Sequence, residues 1–505
     1  MARNDWLLTC EPREAQVEAL RRSHLGECLY DEQGGEPNPR PVIGHPRSEP
    51  AKGWGHFLEM RVGKTPVHLN EGALLRRDYD IRWHVVLSPN AFKRDWGSEA
   101  EKFGYPADAH VFESKDRRAA QRFVDKRSRT GGLIAINYEA LGSDETLSFL
   151  EDLMGPQTLI GADESITIKN HASGITKNAV KLARMARCQR VLSGKPLTQG
   201  AHDLYSQLRF IGQQNGVDPT VFKHTFCQMG GFQGKQILGI KNEHMLHDIL
   251  DRCSFNARKV DWLRTPLPDY GERWINMLPE QERMYRAMQE DFLVELVDGT
   301  IVSADQVITK LIKMQQIASG FVIDEEGNTH ELMPVAKNPK VLRLKQMLEE
   351  EVEHKVIVVA HYQRSLDILG GALPDTSRAV IRGQNWHSKN KVDLVAEKAR
   401  FNEDDRCSVL LGQEQALRYG HTLMGSAADP CYTTIFYENN YSLNDRTQCE
   451  QRNQGAGQLV GTGIIDFLAT EKDVAIIKAL QRKEDIAAAA LNYARETGVL
   501  PRKIT

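Results

Sequence analysis

Phe57-Leu58-Glu59-Met60-Arg61-Val62-Gly63-Lys64-Thr65 is the stretch on which the reading of this chain turns. It ends in Gly63-Lys64-Thr65, which are the residue types of a phosphate-binding loop in the order the chemistry requires. Gly63 lets backbone N–H groups approach phosphates, Lys64 reaches the terminal phosphates, and the Thr65 hydroxyl is a ligand for Mg²⁺. A helix starting here turns its positive end toward the anion. The pattern is incomplete: Leu58 stands where the full loop has a glycine, and Arg61 where many such loops carry another. A bare Gly-Lys-Thr arises often by chance, so a second site has to support it. Asp163-Glu164 does so, closing the apolar run Thr158-Leu159-Ile160-Gly161-Ala162. An exposed acidic pair at a turn is the plain alternative. The apolar strand before it favours a site in which Asp163 holds Mg²⁺ and Glu164 positions or deprotonates a water.

Other apolar runs alternate with helical stretches on both sides. His84-Val85-Val86-Leu87-Ser88-Pro89-Asn90 reads as a short buried strand closed by a turn, and a helix carrying Lys93, Arg94 and Trp96 follows. Gly132–Tyr138 and Arg190–Gly194 read as further strands. This alternation predicts a parallel sheet covered on both faces. The polar residues gather at the carboxyl ends of its strands, where such sheets bind ligands. Residues 215–300 change character and read as a helical connector, with Gly230-Gly231-Phe232, the amphipathic His244–Cys253 and Pro266-Leu267-Pro268. Val307–Ser319 has helical spacing. A second α/β pattern begins near Val341, with a helix to Val352 and strands at Val356–Ala360, Ala379–Ile381, Ser408–Gly412 and Thr433–Tyr437. The stretch Val474–Ala489, rich in Ala, Ile, Lys and Glu, reads as a helix that packs on the second sheet. The expected fold class is α/β: two parallel-sheet lobes, 1–214 and 336–505, joined by a helical segment or protrusion at 215–335.

Bulk properties narrow the classes. At 505 residues the chain is long enough for two or three domains with real cores. A net charge of −3 gives no global basic field, so any surface for a polyanion has to be local. The eight cysteines show no C-x-x-C spacing, which argues against a zinc ribbon or disulfide framework and for a reducing compartment. The N-terminus lacks an apolar signal core and no stretch reaches membrane-spanning length, so no membrane association and a cytosolic location are expected. Near the N-terminus, Ala15, Ala19 and Leu20 give a weak helical face. Gln16 on it is either an amide that reads an adenine edge or a solvated side chain on a surface helix.

These segments, in this order, resemble the superfamily 2 helicases and translocases of the SWI/SNF-like branch, and most the compact versions of phages and prokaryotes. Pro12–Gln16 resembles the adenine-reading Q motif, Glu59–Thr65 motif I, Val85–Trp96 motif Ia and Ile134–Leu141 motif Ib. Asp163–Asn170 resembles motif II, and Leu192–Gln207 motif III with its extension. In the second lobe Val356–Tyr362 resembles motif IV, Ala416–Leu423 motif V and Gln448–Gln458 motif VI, with the helix at Lys483-Glu484-Asp485 closing the series. The resemblance implies two RecA-like lobes, ATP and Mg²⁺ as cofactors, and DNA, duplex or branched, as partner in a bacterial or phage-infected cytoplasm. It implies catalytic roles for Lys64, Asp163, Glu164 and Arg452, and nucleotide contacts from Gln16, Arg61, Gly63, Lys64, Thr65 and Gln458. Thr65 and Asp163 would hold the metal. Phosphate contacts suffice for tracking along DNA. The candidates for them are Ser88, Asn90, Lys93, Asn137 and Tyr138 in the first lobe and His361, Tyr419, His421 and Thr422 in the second, each also readable as ordinary loop polarity.

Three departures cluster around the terminal phosphate. Ile166 stands where motif II has His, Lys195 where motif III has Thr, and Gly455 where motif VI has its second arginine, the arginine finger. Motif V also reads Leu417-Arg418-Tyr419-Gly420 where Gly-rich sequence is common. An arginine finger is worth roughly 10³ to 10⁵ in kcat. Either another residue, Arg452 or Arg418, serves as finger, or Lys195 supplies the charge, or turnover is poor. The expected function is a DNA-dependent ATPase that translocates on DNA. The alternative is an ATP- and DNA-binding module with weak or no hydrolysis. A simple P-loop phosphotransferase is disfavoured by the second lobe with its motifs V and VI.

Overall fold

The computed structural model describes residues 6–25 and 51–473, apart from 60, 91, 114–115, 195, 198–199, 215, 231–235, 263–265, 298–303, 384–392, 418–421, 440–442, 455–459 and 471–472. Lys195, Arg418, Tyr419, His421, Gly455, Gln458 and the stretch Val474–Ala489 therefore lie outside the described residues. The chain divides into two compact units that meet in sequence at Arg264 and Thr265.

The first unit contains β1 Gly53–Leu58, β2 Trp83–Ser88, β3 Ala109–Val111, β4 Gly132–Asn137, β5 Thr158–Asp163, β6 Cys188–Leu192, β7 Cys227–Gly230, β8 Gln236–Ile240 and β9 Ser254–Ala257. Seven of these form one sheet in the order β3-β4-β2-β5-β6-β1-β9, with every neighbouring pair parallel. The remaining two, β7 and β8, pair as an antiparallel hairpin. Strands β2, β4 and β5 are buried along their whole length, as continuous apolar runs require when helices cover both faces.

β1 is the strand that an apolar pattern does not reveal. Gly53, Gly55 and His56 interrupt it, yet each has a packing reason. A Cβ on Gly53 would lie 1.8 Å from the carbonyl oxygen of Ile211, and one on Gly55 would lie 2.9 Å from Ser254 Cβ. His56 is fully buried, with Nε2 2.9 Å from Glu71 Oε2. β9 comes from the stretch read as a connector, and it pairs with β1 from Gly55↔Ser254 to Leu58↔Ala257.

Helix α2, Lys64–Tyr79, leaves the end of β1 and runs through the interior, with Val67 to Leu75 buried. Most of its buried polar groups are matched, His68 Nδ1 being without a hydrogen bond among the described residues. Glu71 receives Arg190 Nε at 2.8 Å and faces His56, and Arg190 also donates through Nη1 to the carbonyls of Ala51 and Gln189. Burial raises the Glu71 carboxyl, but Arg190 and His56 overcome this and hold it well below the usual range. His68 and His84 share a contact of 2.9 Å between their Nε2 atoms. Burial pushes His84 down to about 3 and His68 well below its ordinary value, so both stay neutral at physiological pH.

The second unit contains β10 Asp269–Trp274, β11 Phe321–Ile323, β12 Thr329–Glu331, β13 Lys355–Ala360, β14 Arg378–Ile381, β15 Val409–Gln413, β16 Cys431–Phe436 and β17 Gly463–Leu468. Its main sheet has the order β10-β17-β16-β13-β15-β14, again parallel throughout. β11 and β12 form a separate antiparallel pair. The two parallel sheets, each flanked by helices, are the expected pair of α/β lobes. Residues 215–335 hold the helices Pro219–Phe226, Glu243–Cys253, Pro279–Val297 and Ala304–Ser319, and they also contribute β9 to the first sheet and β10 to the second. Among the described residues no helix is long and apolar enough to cross a membrane.

Candidate nucleotide site

The chain leaving β1 makes a tight loop before α2. Arg61 has φ 70° and Gly63 φ 106°, both in the left-handed region, where the glycine is free and the arginine is strained. Gly63 caps α2, and the first backbone bond of the helix runs from Val67 N to Gly63 O at 3.3 Å. The loop therefore offers the amides of Gly63, Lys64 and Thr65, while Pro66 offers none. Gly63-Lys64-Thr65-Pro66 carries that shortfall in the sequence itself. Lys64 and Thr65 are partly exposed at this end.

Gln16 belongs to α1, Glu14–Leu20, and is buried rather than solvated. Its Oε1 accepts from Arg13 N at 2.8 Å and its Nε2 donates to Gly63 O at 3.4 Å. Arg13 reaches the same loop and donates through Nη1 to Arg61 O at 2.5 Å. Two N-terminal side chains thus hold the carbonyls that flank the loop. Burial lowers the Arg61 guanidinium below its ordinary value.

Asp163 and Glu164 lie at the carboxyl end of β5, on the same edge of the sheet. Lys64 Nζ donates to Glu164 Oε1 at 2.6 Å, so the two motifs meet. Glu164 itself has φ 45°, another left-handed residue at this edge. Asp163 is buried and held by three donors: Trp96 Nε1 to Oδ2 at 3.0 Å, Glu164 N to Oδ1 at 2.9 Å, and Tyr138 OH to its backbone oxygen at 2.7 Å. Trp96 belongs to helix α3, Lys93–Lys102. Sequence reasoning named Trp96 on its helix but gave it no role at the site, and nothing in its spacing could have paired it with Asp163. Beyond Asp163, Ser165 Oγ donates to Gln207 Oε1 at 2.6 Å, and Gln207 Nε2 donates to the carbonyls of Pro196 and Asp203. This ties the end of β5 to the segment after β6.

Burial pushes the Asp163 carboxyl up to about 6, although Lys64 pulls the other way. The folded value lies above the ordinary 3.8, so the folded protein binds a proton more readily than the unfolded chain. The contribution of Asp163 to stability therefore falls as pH rises from about 4 to about 6, and the ionised carboxylate remains a cost at neutral pH. Asp163→Asn is expected to stabilise the protein at pH 7 by on the order of 1–2 kcal/mol, one acceptor being lost in the exchange. Calorimetry at pH 7 and pH 4 checks this: a higher Tm for the variant at pH 7 and a smaller gap at pH 4. A lower Tm at both values would contradict it.

Residues 49–320 match the SNF2-related domain, more than half of the chain. The chain belongs to the SNF2-related domain family. It is 21% identical over 449 residues to the SWI/SNF-related matrix-associated actin-dependent regulator of chromatin subfamily A-like protein 1 homolog of Caenorhabditis elegans, covering 85% of this chain and 58% of that protein. The chain thus spans less than two thirds of that relative's length. A solved structure, the Sulfolobus solfataricus SWI2/SNF2 ATPase core in complex with dsDNA, is 17% identical, with a TM-score of 0.43 over 96% of this chain and 95% of that one.

The SNF2-type resemblance read from motif order is borne out by the family match over residues 49–320. Other residues that the resemblance singled out sit as follows. Asn90 is exposed, whereas Ser88 is buried with its Oγ 3.4 Å from Pro89 O. Lys93 is buried, its ammonium donating to Phe112 O and Glu113 Oε2, both at 3.0 Å, and lying 3.5 Å from Asn137 Oδ1. Asn137 donates through Nδ2 to Glu139 at 2.8 Å, and Tyr138 is buried on Asp163. In the second unit His361 Nδ1 lies 3.5 Å from Oε2 of the buried Glu414. The carbonyl of Thr422 accepts from Asn402 Nδ2 at 2.8 Å. Arg452 is buried, donating through Nε to Gln448 O at 2.8 Å and through Nη2 to Gln448 Oε1 at 2.6 Å.

Proposed function

We propose that this member of the SNF2-related domain family is an ATP hydrolase stimulated by DNA, which moves along duplex or branched DNA. The observation that carries this reading is the meeting of Lys64, at the start of a helix capped by left-handed Gly63, with Asp163-Glu164 on one edge of a parallel sheet. The donor set fits Mg²⁺-ATP. Oxygen ligands from Thr65 and Asp163 suit a hard cation, and the loop amides with Lys64 suit phosphate. When bound, the metal supplies neutralisation of phosphate charge. Lys64 brings a positive charge to the terminal phosphates, Gln16 and Arg61 border the nucleotide, and Glu164 orients water. Trp96 and the Glu164 amide hold the Asp163 carboxylate, and Tyr138 its backbone, so that the carboxylate needs little reorganisation. Asn90 is the exposed first-lobe candidate for a DNA phosphate.

A second reading, nucleotide-gated DNA binding with weak hydrolysis, is favoured by the buried Arg452, whose guanidinium is engaged by Gln448, and by Ile166 in place of His. ATP turnover measured without DNA and with single-stranded, duplex and forked DNA separates the two. The first reading expects turnover to rise with duplex or forked DNA, and DNA affinity to fall steeply between low and physiological salt as counterions are released. Nucleotide and DNA binding with no turnover would establish the second. A flat salt response would count against tracking on the backbone.

A further inference from the structure

A cleft of 490 Å³ opens in the first unit at the other end of α2. Its walls include Arg76, Arg77, Arg82 and Arg129. The same cleft is lined by the apolar side chains of Leu7, Ala73, Ile81 and Pro106, and by Thr130 and Asp80, whose carboxylate is taken up by Arg82. β2 begins at Trp83 and β4 at Gly132, so this cleft lies at the amino ends of the strands, whereas Lys64 and Asp163 lie at the carboxyl ends. The 16 residues of α2 separate the two ends by about 24 Å.

The charges here are unevenly matched. Arg77 pairs with Asp78 at 2.6 Å and Arg82 with Asp80 at 3.1 Å. Arg76 donates to the carbonyls of Arg82 and Thr130 and pairs with no carboxylate among the described residues. Arg129 is exposed and has neither a hydrogen bond nor an ion pair among the described residues. Two guanidinium groups that pair with no carboxylate among the described residues, beside apolar side chains, define a complementary ligand. The planar forks of arginine match phosphate oxygens bidentately. The floor matches a ring or sugar, and the volume is that of a small-molecule site.

We propose that this cleft binds a small organic phosphate of the nucleoside monophosphate type, separately from the nucleotide site at Lys64. A duplex would meet a broad basic surface, whereas here the guanidinium groups border a cleft of small-molecule volume. Hydrogen exchange of the full chain with AMP, inorganic phosphate and a short DNA duplex as separate probes tests it. AMP is expected to protect residues 76–82 and 127–131. Arg129→Glu, at an exposed side chain without a partner, is expected to weaken that protection about tenfold in AMP concentration and to leave exchange at residues 61–65 as in the wild type. Protection by DNA alone, equal protection by inorganic phosphate, no protection, or an unaltered Arg129→Glu response would each overturn the proposal.

Discussion

Lys64→Ala is expected to lower DNA-stimulated ATP turnover by at least about 10²–10³-fold, the scale set by removing one preorganised charge or donor from a developing anion. Two features make the loss hard to absorb. Pro66 removes an amide from the first turn of α2, so the loop has fewer donors to share the phosphate charge. Arg61, the nearest alternative cation in the loop, is mostly buried, and its own carbonyl is held by Arg13. The substitution also strips Glu164 of its 2.6 Å partner, leaving a carboxylate where phosphate has to approach. Steady-state rates at saturating duplex DNA measure the effect, with circular dichroism to confirm that α2 survives. Lys64→Arg keeps the charge but not the reach and is expected to fall between the two. Wild-type turnover in Lys64→Ala would remove Lys64 from the chemistry.

Arg190→Ala is expected to cost about 3–5 kcal/mol of folding stability, because it leaves Glu71 buried without its cation. Glu71 and Arg190 are both fully buried, with Nε to Oε1 at 2.8 Å, and His56 alone cannot replace a permanent charge. The carbonyls of Ala51 and Gln189 lose a donor in the same step. Urea unfolding reads the loss, and high salt is expected to change it little, since the pair is inaccessible to ions. The sign with pH follows from the depressed Glu71 carboxyl. Its contribution is present above the ordinary carboxylate range and is lost as pH falls through the folded value, so the wild type and the variant converge in acid. Removing the partner too, in Arg190→Met with Glu71→Gln, is expected to recover part of the stability. A loss below about 1 kcal/mol in Arg190→Ala would show that the pair is not what anchors α2 to β6.

How much of this was legible in the chain depends on what each residue packs against. β2, β4 and β5 announce themselves, because a strand covered on both faces is largely apolar, whereas only the Val191-Leu192 end of β6 shows that pattern. β1 hides, because its two glycines answer close approaches from Ile211 and Ser254, far away in sequence, and its histidine answers Glu71 on the next helix. β10 hides for the opposite reason: as an edge strand it exposes Tyr270 and Trp274 and reads as polar loop. At the candidate site, Lys64, Asp163 and Glu164 were legible from residue type, and the fold brings them together. The buried state of Gln16 and the Trp96 hydrogen bond were not, since both depend on the packing of α1 and α3 and not on local pattern. Lys93 shows the converse: a lysine after a strand looks like a phosphate contact, and pattern alone does not reveal that its ammonium also reaches Phe112 O and Glu113.

The pairing of β9 with β1 also dictates when the first lobe can be completed during synthesis. The strand that bears the phosphate loop is made early, but its outer neighbour, Ser254–Ala257, emerges about two hundred residues later. Until then β1 presents an open row of peptide groups beside an unfinished core, the kind of edge that recruits other nascent chains. A polypeptide stopped at residue 214 keeps every first-lobe motif and still leaves this edge bare. Solubility of N-terminal fragments should therefore improve sharply once their end point passes Ala257, a boundary set by strand pairing and not by the last motif.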